Sequence, residues 1–242
     1  MITVVLPAYN EDGDIVPLLL EVQRLLKERF SGVNVIVVDD GSTDQTVKRV
    51  EEIKSSNIKL IKHGTNKGLS EAIKTGLLEA LSTSSDNDVI VTMDADNTHC
   101  PGLVFRMASL IDEGNDVIIA SRYVSGARVL GLSAGRRLLS LCASIFLRCL
   151  FSTQGVKDYT SGYRAYRAGI LKKAFEKWGD GFISESGFSC IVDILLKLRN
   201  MNVVINEVPL ILHYDYKFGP SKINIWKTIK QVLRLSLVRL LK

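Results

Sequence analysis

Short apolar, β-branched runs recur through residues 1–120, and most of them end in a polar cluster. Ile2–Leu6 (ITVVL) closes at Pro7 and leads into Tyr9-Asn10-Glu11. Val33–Val38 runs into Asp39-Asp40-Gly41-Ser42, and Asp88–Met93 (DVIVTM) into Asp94-Ala95-Asp96. Ile58–Ile61 is a shorter run, and Val117–Ala120 precedes Ser121-Arg122-Tyr123. Continuous rather than alternating runs mark strands buried on both faces of a parallel sheet. Between them apolar residues return at helical spacing, at 18, 19, 22, 25, 26 and 30 in Pro17–Phe30 and at 69, 73, 77 and 81 in Leu69–Leu81. Thr43–Lys54, with Ser42 or Thr43 as N-cap, and Leu103–Glu113 read as further helices. This alternation with short connections predicts a doubly wound α/β sheet, in which ligands gather beyond the carboxyl ends of the strands. One polar cluster there is as readily a turn or a helix cap. Four on one edge point to a site.

The second half is patterned differently. Arg136–Leu150 reads as a helix apolar almost all round, either buried or facing a membrane. Asp158–Tyr166 (DYTSGYRAY) reads as a polar, aromatic loop, Phe188–Arg199 as a helix, and Val203–Leu212 as an edge strand interrupted by Pro209. A turn at Phe218–Lys222 leads to a final helix from Ile223, which carries Trp226, Lys227, Lys230, Arg234, Arg239 and Lys242 and no acid. Such a basic amphipathic helix suits a membrane interface. The alternatives are packing on the core with a solvated basic face, or docking onto a membrane-embedded partner.

Composition narrows the classes. With 242 residues, 46% hydrophobic and 24% charged, the chain suits one α/β domain and not a disordered or fibrous class. A net charge of +5 favours anionic ligands or surfaces without pointing to nucleic acid, and no nucleic-acid partner is expected. Four cysteines without a CxxC pair suggest a reducing compartment. No secretory signal is expected, and Leu138–Leu147 is about half the roughly 20 residues a spanning helix needs.

Asp94-Ala95-Asp96 carries the chemistry. Two carboxylates on a strand end can share one cation, or divide between a cation and a ribose. Hard oxygens suit Mg2+ or Mn2+ holding a diphosphate, whose charge the ion neutralises as it departs. His63, His99 and His213 lack metal-ligand spacing, so zinc is not expected. No Gly-x-x-x-x-Gly-Lys-Ser/Thr phosphate loop is present.

Leu6-Pro7-Ala8-Tyr9-Asn10-Glu11, Val38-Asp39-Asp40-Gly41-Ser42-Thr43-Asp44, Asn66-Lys67-Gly68, Met93–Asp96 and Ser121-Arg122-Tyr123 together resemble glycosyltransferase family 2, with its GT-A fold, a Rossmann-like doubly wound mixed sheet. Asp158–Tyr166, Glu207-Val208-Pro209 and Gly219-Pro220-Ser221-Lys222 narrow the resemblance to the dolichol-/polyprenyl-phosphate mannose synthase-like branch. The resemblance implies that Pro7, Tyr9, Glu11 and Asp39 hold base and ribose and that Asp94 contacts the nucleotide. It implies that Asp96, with Asp94 and Thr98, ligates Mg2+ or Mn2+; Thr98 stands where the family often has Gln. Arg122, Arg136 and Ser140 match positions that engage the acceptor phosphate, which makes Asp96 and Arg122 the expected catalytic pair. The mannose synthases place an Arg where this chain has Tyr216, so acceptor charge is expected from Lys217 or Lys222 instead.

The implied reaction moves a hexose, most simply mannose from GDP-mannose, onto a polyprenyl or dolichyl phosphate with inversion. The alternative is a UDP-sugar donor, serving a lipid phosphate or a hydroxyl in cell-surface polysaccharide. A phosphate monoester, with a second pKa of about 6, is already an anion at neutral pH and needs positioning and positive charge more than a general base. Residues 1–122 would bind the nucleotide sugar and 123–222 the acceptor, with 223–242 as the amphipathic helix. Expected partners are the nucleotide sugar, the lipid phosphate and the membrane surface, with a membrane-embedded subunit left open. The expected place is peripheral, on the cytoplasmic face of a membrane.

Overall fold

A computed structural model describes residues 1–29, 33–217, 219 and 225–240. Its first half runs β1 (Ile2–Ala8), α1 (Ile15–Arg29), β2 (Val33–Asp39), α2 (Thr46–Glu52), β3 (Ile58–Lys62), α3 (Leu69–Thr83), β4 (Val89–Thr92), α4 (Leu103–Asp112) and β5 (Val117–Ser121). The second half adds β6 (Arg128–Leu130), α5 (Ala134–Phe151), β7 (Arg164–Arg167), α6 (Ala168–Trp178), α7 (Ser189–Leu198), β8 (Ile205–Pro209), β9 (Ile211–His213) and α8 (Ile225–Leu240).

Seven strands form one sheet in the order β3-β2-β1-β4-β7-β5-β8, and β6 and β9 form a small second sheet. The β1–β2, β1–β4, β2–β3 and β5–β8 pairs are parallel, and β7 is antiparallel to both β4 and β5, so the sheet is mixed. Side chains alternate across it, as the pleat requires. Val5, Ile36, Val38, Ile90, Val117 and Ile119 face a layer containing α3, α6 and α7. Val4, Leu6, Val35, Val37, Val91 and Ile118 face a layer containing α1 and α4. The helix α3 lies so near β1 that a Cβ on Gly76 would come within 2.2 Å of Val5 Cγ1, so only glycine fits there.

Three expectations change. The segment Asp158–Tyr166 is not wholly loop, because β7 begins at Arg164. Arg164 is fully buried, with its guanidinium donating to Ile191 O at 2.7 Å and Tyr159 O at 2.8 Å, and a charge at a core position hid the strand. The run Val203–Leu212 is two strands: β8 ends at Pro209 on the sheet edge, and β9 pairs with β6 instead. The helix α2 starts at Thr46 rather than Thr43, since the polar residues around its start pin the loop after β1: Ser42 Oγ accepts Asn10 N–H at 2.9 Å and Thr46 Oγ1 accepts Glu11 N–H at 2.8 Å. Of the two alternatives for α5, burial is the one that fails: it buries only Ser144, Leu147 and Phe151, while Leu138, Leu141, Cys142, Ile145 and Cys149 form an exposed stripe at helical spacing.

The last helix has two faces. Val232, Leu235 and Ser236 are buried, whereas Trp226, Leu233, Leu237 and Val238 are exposed, Trp226 by 82%. Among the described residues no helix is long and apolar enough to cross a membrane.

Candidate active site

The carboxyl ends of β1, β4 and β5 open onto one cleft of about 470 Å3. Beyond β4 the chain turns sharply, with Asn97 at φ +57°, and carries Asp94 and Asp96 into the cleft. Asp96 is held from two sides. Thr98 Oγ1 donates to its Oδ1 at 2.6 Å, and Lys217 Nζ donates to its Oδ2 at 2.5 Å. Asp94 N–H donates to His99 Nδ1 at 3.3 Å, and the His99 ring stacks on Tyr163 at 4.9 Å. Desolvation at the base of the cleft, then the neighbouring Asp96 charge, raises the Asp94 pKa. Burial alone would raise Asp96 as well, but Lys217 and His99 outweigh it and hold that carboxyl below its usual range.

Arg122, at the β5 end, also lines the cleft. Its Nε donates to Asp158 Oδ2 at 2.8 Å and its NH2 to Asp158 Oδ1 at 2.7 Å, a two-pronged pair, and NH2 also reaches Thr160 Oγ1 at 2.6 Å. Asp158 is fully buried; burial would raise its pKa, but Arg122 outweighs that and lowers it. Behind it, Glu207 Oε1 accepts the N–H groups of Lys157 and Asp158, each at 2.6 Å, and burial raises the Glu207 pKa. Ser140 Oγ lies 2.7 Å from Tyr123 OH, and the Arg136 guanidinium sits over the Tyr214 ring at 5.5 Å.

Pro7, Tyr9, Glu11, Asp94, Asp96, Thr98, Arg122, Arg136, Ser140 and Lys217 all line this cleft. Asp39 is set behind the lining: it is 2% exposed, its Oδ2 accepts Ser42 N–H at 3.2 Å, and its Oδ1 has no hydrogen-bond partner. Its neighbour Asp40 does line the cleft and binds inward, taking Lys67 N–H at 2.9 Å, Gly68 N–H at 2.8 Å and His63 Nδ1 at 2.8 Å. Lys222 lies outside the described residues.

Sequence reasoning passed over several lining residues. Ser161, whose buried Oγ has no hydrogen-bond partner, sits in the cleft beside Gly162, as does Tyr214. Part of the lining is apolar: Leu132, Leu139 and Ala143 come from the α5 side, Phe188 from just before α7, and Ile229 and Val232 from α8. The helical spacing of α5 and α8 carried the signal for these, but not the direction in which each face points. Asp193 is fully buried; Arg239 NH2 reaches it from α8 at 2.5 Å, and Lys197 Nζ, one turn along α7, lies at 2.5 Å.

Residues 3–175 match the family model described as "Glycosyl transferase family 2". The chain belongs to glycosyltransferase family 2. Its family-2 relatives include the dolichol-phosphate mannosyltransferase of Pyrococcus furiosus, 33% identical over the whole of this chain and 64% of that one. The polyprenol monophosphomannose synthase of Mycolicibacterium smegmatis is 32% identical over 91% of this chain and 80% of its own. The chain therefore spans just under two thirds of the archaeal relative's length. Among solved structures, glucosyl-3-phosphoglycerate synthase from Mycobacterium tuberculosis in complex with UDP superposes with a TM-score of 0.68 at 21% identity, over 99% of this chain and 80% of that one. The likeness establishes the shared GT-A fold.

The residues present suit a divalent ion. Asp94, Asp96 and Thr98 offer hard oxygens only. Among the described residues no group of three His, Cys, Asp or Glu side chains is placed to hold an ion. A small divalent ion here would complete its shell with water and substrate phosphate, as Mg2+ commonly does.

Proposed function

We propose that this family-2 transferase moves a hexose, mannose from GDP-mannose in the simplest case, onto a polyprenyl phosphate with inversion at the sugar C1. The observation that carries the reading is the meeting of opposite chemistries in one cleft. The Asp94 and Asp96 carboxylates stand at the β4 end, Arg122, Arg136 and Lys217 line the same cleft, and so do apolar side chains from α5 and α8. The names of the relatives point to the same class of acceptor.

In this reading residues 1–122 bind the nucleotide sugar. Pro7, Tyr9 and Glu11 border the nucleotide, and the partnerless Oδ1 of Asp39 suits a hydroxyl or ring N–H donor, since a buried acceptor left unpaired is costly. Asp96, with Asp94 and Thr98, would hold Mg2+ or Mn2+. Such an ion stabilises the negative charge that grows on the departing diphosphate. Residues 123–222 bind the acceptor, whose phosphate Arg122, Arg136 and Ser140 position. An anionic phosphate oxygen attacks C1 from the face opposite the nucleotide, the new C1–O bond forms, and the old one breaks with its electron pair leaving on the nucleoside diphosphate. No proton need be removed, so the site supplies fixed charge rather than a base. Asp158 holds the Arg122 fork in its plane, so no reorganisation is needed as charge shifts. The exposed apolar faces of α5 and α8 support a peripheral seat on a membrane, and the four free cysteines suit its cytoplasmic face.

The test is transfer of radiolabelled sugar from GDP-mannose, UDP-glucose or UDP-N-acetylglucosamine into chloroform-soluble product with added polyprenyl phosphate. Label from GDP-mannose in the organic phase is expected, and Asp96→Ala should remove it even at high Mn2+. Label confined to water-soluble glycan would overturn the lipid-phosphate reading.

A further inference from the structure

Lys217 follows β9 and reaches a carboxylate 121 positions away in sequence. Its Nζ lies 2.5 Å from Asp96 Oδ2, in a pair where only 9% of the lysine and 16% of the aspartate side chain stay exposed. The other oxygen, Oδ1, already accepts the Thr98 hydroxyl. Both oxygens of the carboxylate assigned to the metal are therefore engaged. A divalent ion binds carboxylate oxygen at about 2.0–2.2 Å, and a lysine ammonium at hydrogen-bond distance on that oxygen would be its close neighbour and like in charge. The two cannot both occupy Oδ2 without strong repulsion.

The ammonium lies in the cleft among carboxylates, since Glu11, Asp94 and Asp96 line it together with Lys217. Lysine is also suited to exchange partners: its charge sits on a flexible stem with rotatable donors, whereas the Arg122 fork is fixed by two parallel bonds to Asp158.

We propose that Lys217 is the resident cation of Asp96, which competes with a divalent ion for that carboxylate and passes to a phosphate oxygen when a phosphate-bearing substrate enters. This rests on reading the cleft as a nucleotide-sugar site. Its consequence is coupled binding. An ion arriving alone must displace the lysine without recompense, while an ion arriving with phosphate leaves the ammonium a new partner. Reciprocal coupling between ion and phosphate follows as a matter of linkage. Two phosphates fit the description, the diphosphate of the donor and the monoester of the acceptor, and they share the same chemistry.

The experiment titrates Mn2+ into the full-length protein without substrate and reads free ion by electron paramagnetic resonance. Lys217→Met, which keeps the stem and removes the charge, should bind Mn2+ roughly tenfold tighter than the wild type, and Lys217→Arg should stay within about twofold of it. Adding GDP, UDP or a short prenyl phosphate should then strengthen Mn2+ binding by a larger factor in the wild type than in Lys217→Met. The phosphate that gives the larger difference is the one the lysine receives. Equal Mn2+ affinity in wild type and Lys217→Met, with matching thermal midpoints, overturns the proposal, as does an enhancement by each phosphate that is the same in the two proteins. Mn2+ binding retained in Asp96→Asn overturns both this proposal and the metal assignment it rests on. Tighter Mn2+ binding by Lys217→Met in a protein that transfers sugar from no donor supports the exchange and overturns the transferase reading alone.

Discussion

Arg122 is useful because its position is not its own doing. Asp158 presents two oxygens to one guanidinium, Glu207 fixes the two backbone N–H groups at the head of that loop, and Thr160 caps the fork. Asp158→Ala leaves a largely buried guanidinium unpaired and should cost about 3–5 kcal/mol of stability at neutral pH. The folded pKa of Asp158 is depressed, so its contribution is present above its unfolded value of about 3.9 and is lost as pH falls through the folded pKa. Urea melts of wild type and Asp158→Ala should therefore differ fully at neutral pH and converge only in acid, below about pH 4. A constant difference from pH 7 to well below that value would refute the ion-pair account. The residue types of Arg122 and Asp158 were legible in the chain, but the bond between positions 36 apart was not.

The helix α8 shows how one element divides its work. Val232 and Leu235 join the core, Arg239 donates to the fully buried Asp193 through both Nε and NH2, and Ile229 and Val232 line the cleft. Arg239→Ala leaves Asp193 with Lys197 as its remaining cation and should cost about 1–3 kcal/mol, read as a lowered urea midpoint with an unchanged slope. An unaltered midpoint would mean that the helix is held by its apolar contacts alone. A basic residue that sequence alone assigns to a solvated or lipid-facing side is here committed to the interior. The amphipathic period gave the helix its two faces, while the buried aspartate that selects one arginine comes from α7.

At the scale of the molecule the exposed stripe of α5 and the exposed side of α8 lie at the two helices whose other residues wall the same cleft. If the cleft takes the phosphate proposed above, exposed apolar surface on the helices that line it suits a lipid whose head group is held inside and whose tail stays outside. Each leucine side chain moved from water into lipid is worth about 1.5–3 kcal/mol, so losing two should weaken membrane binding by a hundredfold or more. The wild type should float with vesicles containing phosphatidylglycerol, and Leu138→Glu with Leu237→Glu should remain in the dense fraction while still binding nucleotide. Flotation of the double variant equal to wild type would place the lipid contact on another face.

Local pattern along the chain was enough for the α/β alternation, the strand ends that carry polar residues, and the identity of the Asp94–Asp96 pair. Each is written in local periodicity and in residues that stand side by side. Tertiary structure decided the rest, because the deciding contacts join distant positions. It set β7 into the sheet on a buried arginine, paired the chain after Pro209 with β6 rather than with the main sheet, drew Asp39 behind the cleft wall while Asp40 came to line it, and seated Lys217 on Asp96. Side-chain periodicity says which face of an element is apolar. Only packing says what that face meets, and therefore which charges end within 3 Å of one another.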